Sequence, residues 1–200
     1  MATSPASKSD LRRLLRAAAE IPPASLRAEA SASMVRHCLG RPEWSACRGL
    51  LAFSPLPDEP DIRPLLQEAL RAGKLLSLPR FSRESGAYVP VTVQDLARDL
   101  VTGRYGVLEP APGCPETTIN HLDLALIPGV GFSFAGGRLG RGGGYYDRLL
   151  ERFSGIRCGV AFEWQLAVEI PMERHDVAMD SVLTPDGWRV VPPRGAVSPE

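Results

Sequence analysis

The sequence predicts a single three-layer α/β domain, in which a mostly parallel β-sheet carries helices on both faces. A chain of 200 residues with 44% hydrophobic residues is large enough for one well-packed core. Between residues 49 and 78, an apolar run, a helical segment and a second apolar run follow one another, which is the order of a βαβ unit. Later, a glycine-rich segment lies between a predicted strand and a predicted helix, where open α/β sheets bind ligands.

Each element follows from hydrophobic spacing and from the residues that break it. Ser9 is the expected N-cap of a first helix that runs to Glu20 and is broken by Pro22 and Pro23. Further helices are predicted at 25–38, 61–72, 93–101 and 144–153. Strands are predicted at 49–54, 74–78, 87–93, 122–127, 156–162, 182–184 and 188–191. The domain is expected to span residues 8–192, with disordered tails at 1–7 and 193–200.

Composition excludes several classes of function. The 23 basic residues equal the 23 acidic ones, so no overall field favours nucleic acid or a membrane surface as a partner. No apolar run is long enough to cross a bilayer, and the N-terminus lacks the apolar stretch of a secretory signal. The four cysteines and three histidines show no metal-binding spacing, which favours reduced thiols. We therefore predict a cytoplasmic protein.

Residues 137–149, Gly-Arg-Leu-Gly-Arg-Gly-Gly-Gly-Tyr-Tyr-Asp-Arg-Leu, carry the strongest functional signal. Glycine lets a ligand approach the backbone, and successive bare N–H groups form a concavity that binds anions. A helix starting at Gly144–Tyr145 would point its positive end at such an anion, and Arg138 and Arg141 add charge. Asp147 has the wrong sign for a phosphate and suits a cation that the phosphate needs.

A flexible surface turn is the alternative interpretation, although two aromatic residues directly after the glycines are unusual for a linker. The segment matches neither the P-loop pattern nor the dinucleotide-binding pattern, in which Tyr145 would have to be glycine. The sequence therefore predicts a polyphosphate site with Mg²⁺, and an ATP-like ligand held by a different kind of loop.

The same segment carries a resemblance to a known family. The matching string runs through residues 127–132 and 137–147. Weaker blocks are Lys8 with Leu11 and Arg12, Glu59, Leu78-Pro79-Arg80, Tyr105 to Pro110, Ala161-Phe162-Glu163 with Gln165, Pro171 with His175-Asp176, and Asp180. On these residues the chain resembles the 5-formyltetrahydrofolate cyclo-ligase family over about residues 8–184. One departure is Ser133, where the family usually carries aspartate.

The resemblance implies a fold of the NagB/RpiA/CoA-transferase-like type. It also implies 5-formyltetrahydrofolate as the substrate and ATP and Mg²⁺ as cofactors, and we expect the protein to be a monomer. The implied reaction passes through a phosphorylated formyl group and yields 5,10-methenyltetrahydrofolate, ADP and phosphate. Two rivals remain: a non-catalytic relative that binds folate or nucleotide, and a sugar-phosphate isomerase on the same fold. Dependence on a nucleotide would separate the isomerase from the ligase.

The resemblance also assigns roles to individual residues. The implied catalytic residues are Arg141, Tyr146 and Asp147. Those implied to bind ATP are Lys8, Arg12, Arg138, Gly140, Arg141, Gly142, Gly143, Gly144 and Tyr145. Glu59 and Tyr146 are implied to bind the folate, and Asp147 and Asp180 to hold Mg²⁺. The folate rings also need an apolar slot, for which the candidates are Phe53, Leu56, Tyr105 and Phe132. Of the two adjacent tyrosines, Tyr145 is the one expected in the core.

Overall fold

The computed structural model of the chain describes residues 7–103 and 106–192. Its helices are α1 (Lys8–Glu20), α2 (Ala24–Leu39), α3 (Pro42–Ala46), α4 (Arg63–Arg71) and α5 (Tyr145–Leu150). Its strands are β1 (Gly49–Leu51), β2 (Leu75–Ser82), β3 (Ala87–Thr92), β4 (Leu100–Thr102), β5 (Leu108–Pro110), β6 (Leu124–Ile127), β7 (Gly131–Phe132), β8 (Arg138–Leu139), β9 (Ile156–Val160), β10 (Ser181–Thr184) and β11 (Gly187–Val190). Within these ranges, no helix is long and apolar enough to span a bilayer.

The central sheet has seven strands in the order β11-β10-β9-β6-β1-β2-β3. Its five inner strands, β10, β9, β6, β1 and β2, are parallel to one another. The outer strands β11 and β3 pair antiparallel with β10 and β2. Two short antiparallel hairpins, β4–β5 and β7–β8, lie outside it. The predicted α/β class with a mostly parallel sheet is confirmed.

Both faces of the sheet are covered, because successive side chains along one strand point into two different buried clusters. Leu50 and Leu124 point into one buried cluster, which includes side chains of α2, α3 and α4. Leu51, next to Leu50, points into a second cluster, which includes side chains of α5 and of the β7–β8 hairpin. Since successive strand residues face opposite sides, these two clusters are the layers above and below the sheet.

Several predicted boundaries are wrong for local reasons. Helix α1 begins two residues earlier than predicted, because Ser7 is the N-cap and its hydroxyl accepts a hydrogen bond from the Asp10 N–H at 3.2 Å. The helix predicted at 93–101 is absent. There, the Asp99 carboxylate accepts hydrogen bonds from the backbone N–H groups of Gln94 and Asp95, and such local bonds compete with a helix. The hairpins β4–β5 and β7–β8 were not predicted.

Candidate active site

The glycine loop, residues 140–144, connects β8 to α5 and lies beside the segments that follow the carboxyl ends of β1 and β6. Gly142 and Gly144 have φ angles of +109° and +62°, where a side chain is strained. At Gly143, an added Cβ would lie 2.5 Å from the Tyr145 ring. These positions therefore require glycine, and Gly144 is the N-cap of α5, as the sequence predicts.

Helix α1 borders the loop. The Arg12 Nε donates to the Gly140 carbonyl at 2.8 Å, so this predicted phosphate ligand lies next to the loop. Lys8, one turn earlier, is instead held by two carboxylates, with Nζ 2.5 Å from Asp176 and 3.0 Å from Glu173. Burial works to lower the pKa of Lys8, but hydrogen bonds and attraction from these carboxylates outweigh it and raise the pKa.

Arg141 joins the glycine loop to the segment after β1. Its Nη2 lies 2.9 Å from both carboxylate oxygens of Asp58 and 3.1 Å from Glu59 Oε1. Glu59 is 9% exposed, and its second oxygen accepts from the Leu56 N–H at 3.0 Å. Burial raises the pKa of Glu59, and the opposing effects of that hydrogen bond and of Arg141 do not cancel it. The predicted phosphate-binding arginine thus contacts the predicted folate-binding glutamate.

Arg138 is buried and bonded to other parts of the protein. Its side chain is only 4% exposed, and its Nη2 donates to Asp147 Oδ2 at 2.9 Å while Nη1 donates to the Pro128 carbonyl at 3.3 Å. The other oxygen of Asp147 accepts from the Val177 N–H at 3.2 Å. In this structure the guanidinium is buried beneath the loop in an ion pair, and its contact with the polyphosphate remains a prediction.

Asp180, the second predicted magnesium ligand, is not brought together with Asp147. It directly precedes β10, and its carboxylate accepts from the Arg157 side chain at 2.8 Å through both Nε and Nη2. The backbone N–H of Arg157 adds a third bond at 2.9 Å. Since both residues lie at the amino ends of β9 and β10, this carboxylate belongs to the sheet edge opposite the glycine loop. Among the described residues, no group of three His, Cys, Asp or Glu could hold a metal ion.

Of the two tyrosines after the glycines, the one that faces the core is not the one that the sequence predicted. Tyr146, not Tyr145, packs against both buried clusters. Burial raises the pKa of the Tyr146 hydroxyl well above its usual range, and the negative charge of Glu59 acts in the same direction. Adjacent helical residues point about 100° apart, so only one of the pair could face the core. Tyr146 therefore lies near Glu59, and its place beside the substrate remains a prediction.

Tyr145 belongs to an aromatic cluster that the sequence did not predict. Its ring centroid is 5.6 Å from that of Phe81 in β2 and 5.2 Å from that of Tyr88 in β3. Tyr88 also lies 5.7 Å from Tyr146. The matched block Leu78-Pro79-Arg80 ends one residue before Phe81, which was the available signal. The cluster connects α5 to the β2–β3 hairpin.

The predicted apolar slot for the folate is only partly supported. Phe132 and Phe53 are 0% and 2% exposed and belong to the two buried clusters, so neither ring lies on the surface, and their contact with the folate remains a prediction. Phe132 lies on β7 and Phe53 in the segment that follows β1, and both rings are in the protein interior. Leu56 is partly exposed and lies beside Glu59, as a substrate contact would. Tyr105 lies outside the described residues.

Ser133, at the position where the family usually carries aspartate, is buried and hydrogen-bonded within its own turn. The residue is 1% exposed, and its Oγ accepts from the Gly137 N–H at 3.1 Å across the turn between β7 and β8. A short polar acceptor is what this turn needs, and serine supplies one.

Two further residues of the matched blocks lie outside this turn. The His175 side chain is 71% exposed beside Glu173. The Gln165 side chain hydrogen-bonds the backbone of Phe162 and Gly129, which is a structural role.

Comparison with solved structures agrees with the fold. The NMR structure of 5,10-methenyltetrahydrofolate synthetase from Aquifex aeolicus superposes with a TM-score of 0.82 at 30% identity and covers 96% of each chain. A 5,10-methenyltetrahydrofolate synthetase from Mycoplasma pneumoniae superposes with a TM-score of 0.72 at 18% identity, covering 90% of this chain and 99% of its own. At that identity, the second likeness supports the fold alone.

Sequence comparison identifies the family. A Mycolicibacterium smegmatis protein named 5-formyltetrahydrofolate cyclo-ligase is 37% identical over 188 residues, which is 91% of this chain and 95% of its own. A mouse protein of the same name is 26% identical over 190 residues, covering 90% and 92%. Residues 4–185 match the model of the 5-formyltetrahydrofolate cyclo-ligase family. A match across most of the chain, together with a relative this similar, shows that the chain belongs to the 5-formyltetrahydrofolate cyclo-ligase family.

Proposed function

We propose that this protein converts 5-formyltetrahydrofolate and ATP into 5,10-methenyltetrahydrofolate, ADP and phosphate. The observation that carries the proposal is the 3.1 Å contact between Arg141 of the glycine loop and Glu59 after β1. A carboxylate suits the N–H groups of a pterin edge, and a guanidinium suits phosphate oxygens. The reaction requires the formyl group and the terminal phosphate to meet. The side chains that we propose bind folate and phosphate, Glu59 and Arg141, contact each other.

The chemistry explains why a nucleotide is needed. The carbon of a formamide is a poor electrophile and its oxygen is a poor leaving group. Attack of the formyl oxygen on the γ-phosphorus breaks the bond to ADP and gives an iminium phosphate. N10 then adds to the carbon, inorganic phosphate departs with the former formyl oxygen, and the N10 proton is lost. Such phosphoryl transfer depends mainly on positioning and on stabilisation of charge.

The chain supplies several groups for this positioning. All hydrogen bonds that Arg141 makes to described residues use Nη2, which leaves Nε and Nη1 for phosphate oxygens. Arg12 approaches the loop from α1, and the loop's backbone N–H groups offer an anion site. The Tyr146 ring centroid lies 5.5 Å from the Arg138 guanidinium carbon, and the charge of Glu59 acts on the Tyr146 hydroxyl, so Tyr146 is the side chain that we propose contacts the formyl end of the substrate.

Magnesium fits less well as an ion held by the protein. Both oxygens of Asp147 accept hydrogen bonds from Arg138 and Val177, and Asp180 is paired with Arg157. Mg²⁺ commonly binds through substrate phosphates while keeping several waters. We therefore propose that the cation arrives as the complex with ATP. The protein's own contribution to the transfer is the arginine and backbone surface of the glycine loop.

The test is the near-ultraviolet absorbance of the methenyl product. Purified protein is mixed with 5-formyltetrahydrofolate, with ATP and Mg²⁺ supplied together or omitted one at a time. We expect product only in the complete mixture, and expect Arg141→Met to reduce it strongly. Arg157→Met, which breaks an exposed ion pair at the other sheet edge, is the matched control and should retain activity. Product without ATP, or full activity of Arg141→Met, would contradict the proposal.

A further inference from the structure

Arg138 forms the floor of the glycine loop. A Cβ added at Gly140 would lie 3.1 Å from Arg138 Nη1 and 3.4 Å from Nη2, so the loop backbone rests on the guanidinium. The residue is 6% exposed in all, and its Nε is covered and has no hydrogen-bond partner among the described residues. Its other two nitrogens are bonded to Pro128 and Asp147. Two of the five N–H donors of this guanidinium are thus bonded to the protein, and its side chain is only 4% exposed beneath the loop.

The bonds of Arg138 close the loop at both ends. Arg138 lies on β8, directly before the loop, and Asp147 lies in the first turn of α5, directly after it. The ion pair between them therefore spans the glycines, and Asp147 is fixed in turn by the Val177 N–H. Glycine loses more conformational freedom on ordering than any other residue, so a loop with four glycines needs such a brace.

We propose that Arg138 is a positioning residue, which acts through Asp147 to order the glycine loop before a nucleotide arrives. This inference rests on the proposed function only in taking the loop as the phosphate site. A loop that is already ordered loses less entropy when its ligand binds. The buried ion pair thus contributes to nucleotide affinity without touching the nucleotide.

The first test measures the loop itself. Amide hydrogen exchange is followed in the nucleotide-free protein for wild type, Arg138→Lys and Arg157→Lys. Lysine keeps the charge but cannot donate to Pro128 and Asp147 with the same fork. We expect exchange at residues 140–144 to accelerate about tenfold in Arg138→Lys, as for loss of one charge-assisted hydrogen bond, and to stay unchanged in Arg157→Lys.

Two outcomes would overturn the proposal at this step. Unchanged loop exchange with weakened ATP binding would make Arg138 a direct phosphate ligand. Faster exchange throughout the central sheet would make its role a general structural one. If Arg138→Lys does not fold, Asp147→Asn approaches the same pair from its other side, and the same exchange pattern is expected.

The second test is a double-mutant cycle on ATP binding. Dissociation constants for a non-hydrolysable ATP analogue with Mg²⁺ are measured for Arg138→Lys, Asp147→Asn and the double variant. If the two residues act as one unit, the double variant binds about as weakly as either single variant, and KM for ATP rises more than kcat falls. Additive losses would contradict the proposal. If wild type binds no nucleotide, the proposed function fails, whereas the exchange experiment still decides the role of Arg138.

Discussion

Two arginine–aspartate pairs lie near opposite ends of the parallel strands, one beyond their carboxyl ends (the carboxyl edge) and one at their amino ends (the amino edge). At the carboxyl edge, Arg138 Nη2 and Asp147 are 2.9 Å apart, with side chains 4% and 16% exposed. At the amino edge, Arg157 Nη2 and Asp180 are 2.8 Å apart, with side chains 29% and 41% exposed. The distances are nearly equal, so the difference between the pairs is burial and what lies above them.

The comparison teaches that burial, rather than the length of an ion pair, sets how much the pair contributes. Arg157 makes a fully forked pair, yet an exposed ion pair contributes little, because water screens it. Arg138 makes fewer bonds to its aspartate, but both partners are largely removed from water and lie under the glycine loop. Breaking a buried pair leaves an uncompensated charge, which is costly.

The largest expected effect comes from removing each arginine in turn. Arg138→Met should lower the free energy of unfolding by about 3 kcal/mol, because Asp147 keeps its charge without its partner. Arg157→Met should cost about 0–1 kcal/mol. Urea denaturation monitored by circular dichroism measures both values. Equal losses in the two variants would contradict the distinction between the edges.

A smaller effect separates the glycine loop from an ordinary turn. Gly144 and Gly86 have almost the same φ angles, +62° and +64°, and Gly86 lies in the β2–β3 turn with open space around it. Alanine at either position should cost about 1–2 kcal/mol of stability from backbone strain. Only Gly144→Ala should also raise KM for ATP several-fold. Steady-state kinetics at saturating folate would show this, and an equal rise in Gly86→Ala would refute it.

A still smaller effect concerns Asp58, which holds Arg141 where phosphate is expected. Asp58→Asn removes a negative charge that competes with phosphate, so KM for ATP should fall by about threefold. This fall should shrink at high salt, because both side chains are about half exposed. Asp61→Asn is the control, since Asp61 instead pairs with the Arg63 side chain and accepts a hydrogen bond from the Arg63 N–H. An unchanged or higher KM in Asp58→Asn would argue against competition at Arg141.

The smallest effect is a pH dependence from Glu59. Burial raises the pKa of Glu59 above its usual 4.5, so just above pH 4.5 the folded protein keeps a proton that the unfolded chain has released. Stability therefore falls as pH rises through the folded pKa. Glu59→Gln lacks this penalty, so thermal unfolding should show the wild type losing stability relative to the variant between pH 4 and pH 7. A constant difference across that range would exclude a raised pKa.

Sequence reasoning predicted the features that depend on local pattern. The βαβ unit was predictable because its apolar runs are long enough to identify strands, and β1 and β2 are indeed parallel neighbours. The glycines at 142 and 144 were predictable because left-handed backbone angles require this residue type. Arg12 contacts the loop, and the ATP-binding role that the family resemblance implies for it remains a prediction.

The features that the sequence could not predict share a physical cause. Which side chains are buried, and beside which partners, is decided only in the folded chain. Arg138 lies in a two-residue strand, too short for any periodic signal, and only the folded hairpin puts it beneath the loop. The role of Asp180 came from the resemblance alone, and the neighbouring strand supplies Arg157 as its partner. The choice between Tyr145 and Tyr146 depended on the rotational phase of a six-residue helix.

The most direct measurement of the central claim is product formation at the glycine loop. Methenyl absorbance is followed with 5-formyltetrahydrofolate, Mg²⁺ and increasing ATP, for wild type, Arg141→Met and Arg157→Met. The account predicts that absorbance grows in proportion to ATP consumed for wild type and Arg157→Met, and falls strongly for Arg141→Met. Growth without ATP, or equal activity in all three proteins, would contradict it.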